Sequence, residues 1–164
     1  MKDRIKFSDE MLAAVIDGRK TQTRRPMNPQ PVLNGNFYEV FGAGWSKGIK
    51  RVTVAPGHSL ERNFPYGPVD KKIPFADKDG NIKGEIEIVD VWLQRVQEIS
   101  QEDARAEGFE FTGWTPTYSD PDSGGEQFTP YDNFAEAWID IYGADGWNNN
   151  PWVWVIEFKQ IQEG

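Results

Sequence analysis

Residues 18–26 read GRKTQTRRP. The chain is acidic, with a formal charge of −8, yet four of its eighteen cationic side chains fall in the seven positions from Arg19 to Arg25, with Thr21 and Thr23 between them. A solvated basic loop and a site for an anionic or nucleotide-like ligand both fit that composition, so the flanking residues have to decide. Upstream, residues 4–7 suit a short first strand. Ser8 is a good N-cap, and Asp9 and Glu10 follow in the positive first turn of a helix. Met11, Leu12, Val15 and Ile16 recur at helical spacing, and Gly18 stands where a helix ends. The basic stretch therefore starts at the stop of a short amphipathic helix, and Pro26 closes it where the chain turns or extends.

Within the stretch, Lys20 and Thr23 are three residues apart. A lysine serves as a general base, or activates a hydroxyl nucleophile, only when its ammonium is pulled below its usual range. Arg19, Arg24 and Arg25 supply like charge that acts in that direction. The same arginines suit phosphate contact or stacking on a base.

Charge is distributed unevenly. Residues 1–51 carry a balance of +5, residues 52–95 of −1 and residues 96–164 of −12. An acidic C-terminal third repels a long polyanion, which argues against extended duplex DNA and for a small or local ligand. The 164 residues suffice for one domain with a real core, taken as 1–164. Seven Trp and ten Phe should dominate that core. Cysteine is absent and His58 is the only histidine, which excludes a disulfide framework and a thiolate zinc site; no metal and no cofactor are expected. No apolar run approaches the roughly 18 residues of a membrane span, and the first residues lack a signal-peptide core, so a cytoplasmic protein is expected.

Further along, 26–36 is turn-rich, and 37–41 and 51–54 look like strands. Pro65-Tyr66-Gly67-Pro68 is a turn and 73–75 a brief strand. Asp77-Lys78-Asp79-Gly80-Asn81 invites a calcium reading, but the twelfth position of such a loop is Ile88 where a glutamate is required; a hairpin turn fits better. Residues 85–96 have the β-branched look of a long central strand. Ser100 starts a second short helix that ends at Gly108. Residues 112–128 form a polar surface loop or lid. A helix from about 130 to 142 carries Phe134, Trp138 and Ile141 on one face, and 152–158 is a buried last strand. Short helices interleaved with such strands imply an α+β fold, a small curved β-barrel flanked by helices.

The order GRKT-x-TRRP after a short helix, then PYG, a long strand leading into ISxEDAxAEG, a helix ending IYG and a closing NPWVWVIEF resembles the ASCH-domain family, most of all its phage and prophage members. The likeness spans residues 5–27, 64–109 and 130–159. It implies a PUA-like β-barrel related to RNA-binding and modified-base-reading modules, with 28–63 and 112–128 as loop insertions. One departure is clear: phage members follow PYG with GDxLWVRE, whereas here Pro68, Val69 and Asp70 lead into Lys-Lys-Ile-Pro-Phe.

Some small members of that family remove an acyl group from the exocyclic nitrogen of cytidine with a lysine, a threonine and a glutamate. Matched to this sequence, the resemblance implies Lys20, Thr23 and Glu107 as the catalytic set of a metal-independent amidohydrolase acting on an N4-acetylcytidine type of substrate. The alternative is a non-catalytic module in which the pocket reads a base or short single-stranded RNA, with Arg19, Arg24 and Arg25 on phosphates and Tyr66 as a stacking surface. Ribonuclease activity is a third reading, and a single histidine excludes a two-histidine acid–base pair within one chain. If the chain is phage-encoded, the host cytoplasm is the expected location.

Overall fold

The computed structural model describes residues 2–40, 42–55, 59–67, 71–113 and 127–161. His58 and residues 114–126 of the expected 112–128 loop lie outside them. The chain opens with β1 (Ile5–Lys6) and α1 (Asp9–Ile16). The Ser8 side chain accepts from the Met11 backbone N–H, and Gly18 follows the helix at φ 84°, a left-handed conformation that glycine adopts without a Cβ penalty. The basic stretch then becomes a strand, β2 (Gln22–Pro26).

Residues 28–63 are richer in structure than their turn-like composition suggests. They hold β3 (Val32–Asn34), β4 (Phe37–Val40), β5 (Ala43–Ser46), β6 (Arg51–Thr53) and the single-turn α2 (Ser59–Arg62). β3 and β5 are not apparent in the sequence, because residues 32–34 are all exposed and 43–46 contain a glycine, leaving no alternation to read. What holds this antiparallel meander is aromatic packing: Tyr38 stacks on Trp45 at 5.8 Å, and both rings meet Trp152 of the last strand edge-on.

β7 (Lys72–Ala76) and β8 (Ile82–Arg95) form a hairpin whose turn is held by Asp77, which accepts from the backbone N–H groups of Asp79 and Asn81. A short 3₁₀ turn leads to α3 (Gln101–Ala106), capped by Ser100. β9 (Thr112–Gly113) pairs with β10 (Gln127–Phe128). α4 (Pro130–Asn148) starts with a reciprocal Thr129–Asp132 capping box and is broken at Gly143 (φ 83°, ψ 167°), so the expected stop after Tyr142 is a kink with a short helical continuation. β11 (Trp152–Ile161) closes the fold.

The main sheet runs β1-β7-β8-β11-β2, with β6 paired to the far half of β8; only β1–β7 is parallel. It curls into a half-barrel, the α+β class expected from the sequence. Side-chain parity shows how. Trp152, Trp154, Ile156 and Phe158 of β11 enter the barrel core, while Val153 and Val155 face the second core under α3 and α4. On β8 the barrel-facing residues are Ile86 and Ile88 and then Val91 and Leu93, a change of parity that requires one extra residue. The register confirms a bulge there: Phe158 opposes Ile88 but Glu157 opposes Asp90. Trp92 consequently turns outward to the helices, where Phe134 and Trp138 of α4 meet it. Among the described residues no helix is long and apolar enough to cross a membrane.

Candidate functional site

β2 is the edge strand of the sheet, antiparallel to β11, with Thr23 opposite Ile156 and Arg24 opposite Val155. Its side chains alternate accordingly: Thr23 and Arg25 share the barrel-side face, and Gln22 and Arg24 point to the helix layer. A basic segment that composition alone would leave in solvent is thereby drawn inward. Lys20, Thr23, Arg24 and Glu107 are each only 3–4% exposed.

Charged groups tolerate such burial only when paired and hydrogen-bonded. Glu107 supplies both pairings. It is the C-cap of α3, 87 positions from Lys20 in sequence. Its Oε1 accepts from Lys20 Nζ at 3.3 Å and its backbone carbonyl from the same nitrogen at 2.8 Å. Its Oε2 accepts from Arg24 at 3.3 Å. Arg24 also donates to Gln22 Oε1, Gln94 Oε1 and Asp103 Oδ2, and Gln22 donates to Asp103, so β2, β8 and α3 are tied by one polar network. The Arg24 Nε–H is buried without a hydrogen-bond partner among the described residues.

The glycine after Glu107 is what lets α3 come this close. Gly108 has φ 104°, and a Cβ there would lie 3.3 Å from Ala14 Cβ and 3.6 Å from Lys20 Cβ. Gly108→Ala is expected to lose about 1–2 kcal/mol from backbone strain alone, read as a lowered denaturation midpoint, and to shift the Lys20–Glu107 contact.

Burial drives Lys20 below the usual lysine range; the Glu107 carboxylate opposes this, and the Arg25 and Arg24 charges add to the lowering. Burial likewise weakens proton binding by Arg24, opposed by Glu107 and Asp103. Lys20 Nζ thus donates to two acceptors, both on Glu107. Thr23 accepts through Oγ1 from Arg25 Nε at 3.1 Å.

These groups line one cavity of about 400 Å³, bounded by β2, the start of α1, the end of α3 and α4. Its apolar walls are Phe7, Phe109, Phe134, Trp138 and Tyr142, with Tyr142 packed on Trp138 at 4.4 Å. Burial raises the Tyr142 phenol, against the nearby Arg25 charge. Lys6, Glu10 and Asp140 also line it. Among the described residues no group of three His, Cys, Asp or Glu is placed to hold a metal ion.

The structure thus brings together Lys20, Thr23, Glu107, Arg24 and Arg25, and leaves out two expected ligand contacts. Arg19 does not line the cavity; its Nε turns back to the Asp17 carboxylate at 2.8 Å, on the solvent side of the helix stop. Tyr66 does not line the cavity either. Its ring is buried in the barrel core edge-on to Phe64 at 5.7 Å, because the PYG turn folds inward onto apolar neighbours. Arg24 is spent on carboxylates and amides, which removes it as a free phosphate contact. Sequence reasoning missed Phe109 and Tyr142 as cavity walls. For Tyr142 a signal existed in its place one turn beyond Trp138 on α4, and for Phe109 in the residue following AEG.

No family model matches the sequence, and no curated protein matches it. Among solved structures the chain is similar to an ASCH domain from Lactobacillus crispatus JV V101, with TM-score 0.45 and 11% identity over 96% of this chain and 79% of that one. It is also similar to a protein of Enterococcus faecalis V583 assigned to family model DUF984, with TM-score 0.51 and 14% identity over 98% of this chain and 80% of that one, a likeness of fold.

Proposed function

We propose that the cavity is an amidohydrolase site that removes an acyl group from the exocyclic nitrogen of a cytidine-type nucleoside. The observation that carries this reading is the buried pairing of Lys20: its Nζ donates to the carboxylate and the backbone carbonyl of Glu107 in a cavity that Thr23 also lines, and burial lowers its proton affinity toward the neutral base that the chemistry needs. The sequence resemblance to acyl-removing ASCH proteins names the same three residues. The cavity volume falls within the ~300–1,000 Å³ of small-ligand sites, and its aromatic walls suit a planar base.

In the first half-reaction Thr23 Oγ1 bonds to the acyl carbonyl carbon as Lys20 Nζ takes the hydroxyl proton. The tetrahedral adduct collapses, the carbon–nitrogen bond breaks, and the Lys20 proton goes to the departing exocyclic amine. In the second half-reaction water attacks the threonine ester, Lys20 takes a proton from the water and returns it to Thr23, and the carboxylic acid leaves. One water is consumed for each amide cleaved. One carboxylate oxygen of Glu107 accepts from Lys20 and the other from the Arg24 guanidinium, so Glu107 holds the lysine in place.

With Lys20 neutral and Arg24 paired to Glu107, the remaining lining charges, Lys6 and Arg25 against Glu10 and Asp140, balance, so the cavity holds no net positive charge to draw a phosphate and suits an uncharged nucleoside. The test is incubation of the protein with N4-acetylcytidine, following cytidine and acetate by chromatography at low and high salt. One-for-one release at rates nearly independent of salt is expected. Absence of release, or a rate that collapses with salt as phosphate contacts do, overturns the reading. The rate should also rise with pH through the depressed Lys20 titration and fall below it, because only the neutral amine accepts the threonine proton.

A further inference from the structure

We propose that Arg24 is a positioning residue of this site: from the sheet side it takes one oxygen of the Glu107 carboxylate, leaves the other to Lys20, and so withholds half of that counter-charge from the amine. The inference rests on the reading of Lys20 as general base, and it gives the most deeply buried arginine of the basic stretch a task other than phosphate contact.

The Arg24 side chain is wholly shielded from solvent and its guanidinium bonds to three elements. One Nη donates to Gln22 Oε1 of β2 at 3.0 Å and to Glu107 Oε2 at 3.3 Å; the other donates to Gln94 Oε1 of β8 at 3.1 Å and to Asp103 Oδ2 of α3 at 3.5 Å. Strand parity sets the side from which it acts: Gln22 and Arg24 point to the helix layer, with Thr23 on the opposite face of β2. Its route to Lys20 therefore runs through Glu107, whose Oε1 accepts from the amine at 3.3 Å.

Stability alone does not call for this side chain. Apolar side chains of similar volume often match or better a buried ion pair, and here the Nε–H is left without a hydrogen-bond partner among the described residues. What the guanidinium adds is charge in a chosen place. The cavity that holds Lys20 brings to it Lys6 of β1, Glu10 of α1, Arg24 and Arg25 of β2, Glu107 at the end of α3, and Asp140 and Tyr142 of α4, with the Phe7 ring centroid 5.9 Å from Nζ. Among the described residues only Glu107 bonds the amine, and its carboxylate is what opposes the lowering of Lys20 by burial. Arg24 counters that opposition twice: it competes for the carboxylate, and its own charge disfavours a second cation on the same group. Without it the whole carboxylate serves Lys20, and the amine keeps its proton to higher pH.

The test uses the full chain with Arg24→Met and Arg24→Gln, each first checked for a native melting transition. Glutamine leaves Glu107 an N–H donor without a charge, and methionine leaves neither. Two readouts are taken: the pH profile of kcat on N4-acetylcytidine, and the titration of Lys20 followed through the carbon chemical shift of its Cε, assigned by the loss of that signal in Lys20→Met. In both variants the ascending limb of the profile and the Lys20 titration are expected to move together to higher pH, by about one pH unit or more. The rate on that limb then falls about tenfold or more, while the plateau at high pH stays within a few-fold of wild type. A loss of rate that is uniform across pH assigns Arg24 to the framework and overturns the proposal, as does failure of both variants to fold. If the wild type turns over no N4-acetylcytidine, the proposed reaction fails and the titration decides the positioning role: an upward move upholds it, and an unchanged Lys20 midpoint overturns it.

Discussion

Lys20→Met protein is expected to fold, to be at least as stable as wild type near neutral pH, and to lose ~10³-fold or more of its activity on an acylated nucleoside. The kinetic part follows from the role of Lys20: removing a general base costs typically ~10²–10⁴-fold, and here the base also returns the proton to the leaving amine. The stability part follows from burial. Lys20 is held below the usual lysine range chiefly by desolvation. Between that depressed value and the unfolded lysine value of about 10.4, the unfolded chain binds the extra proton. Stability therefore rises with pH across that window, and the protonated buried amine weighs against folding below it. Methionine fills similar volume without that cost, and Glu107 keeps Arg24 as a partner. Melting curves over pH should accordingly be flatter in Lys20→Met than in wild type. A variant that loses activity only through unfolding contradicts the assignment.

Glu107→Gln is the second large effect, and here the damage is structural as well as catalytic. One carboxylate pairs with two nearly inaccessible basic groups, the Lys20 amine and the Arg24 guanidinium. Breaking a buried pair by removing one partner costs about 3–5 kcal/mol, because the remaining charge stays desolvated. Arg24 cannot lose its proton and retains only the half-exposed Asp103 as counter-charge. Lys20 can escape by deprotonating, so the loss should deepen as pH falls and shrink as it rises. Denaturant unfolding at several pH values reads this directly. In the Lys20→Met background the same substitution should be less harmful by about 1–3 kcal/mol, the coupling expected of residues in contact. Additivity of the two substitutions would show that Lys20 and Glu107 do not act as a pair.

Much of the framework is visible in the sequence because it is locally encoded. Ser8, Ser100 and Thr129 cap their helices with their own side chains, and Gly18 ends the first helix. The apolar run 152–158 reads as a buried strand and 85–96 as a long central one, whereas the bulge that bends the sheet shows only in the register, with the parity change from Ile88 to Val91. The residues that were not legible depend on partners far away in the chain. Nothing within residues 18–26 says that four polar side chains will be buried; that requires a carboxylate 87 positions on and the Val155–Ile156 segment alongside. The burial of Tyr66 is illegible for the converse reason, since a tyrosine in a proline-flanked turn reads as exposed until Phe64 and the barrel core cover it. Ile141 shares its helical face with Phe134 and Trp138, yet it is 69% exposed, because that face runs past the core to the mouth of the cavity.

The central claim is that Thr23, activated by Lys20, is the nucleophile of a nucleoside-sized amidohydrolase site. Its most direct test is cytidine release from N4-acetylcytidine by wild type and by Thr23→Ala protein at equal concentration and confirmed folding. Steady release by wild type with a loss of ~10³-fold or more in Thr23→Ala is the expected result. Release by Thr23→Ala at the wild-type rate, or none from either protein, contradicts it.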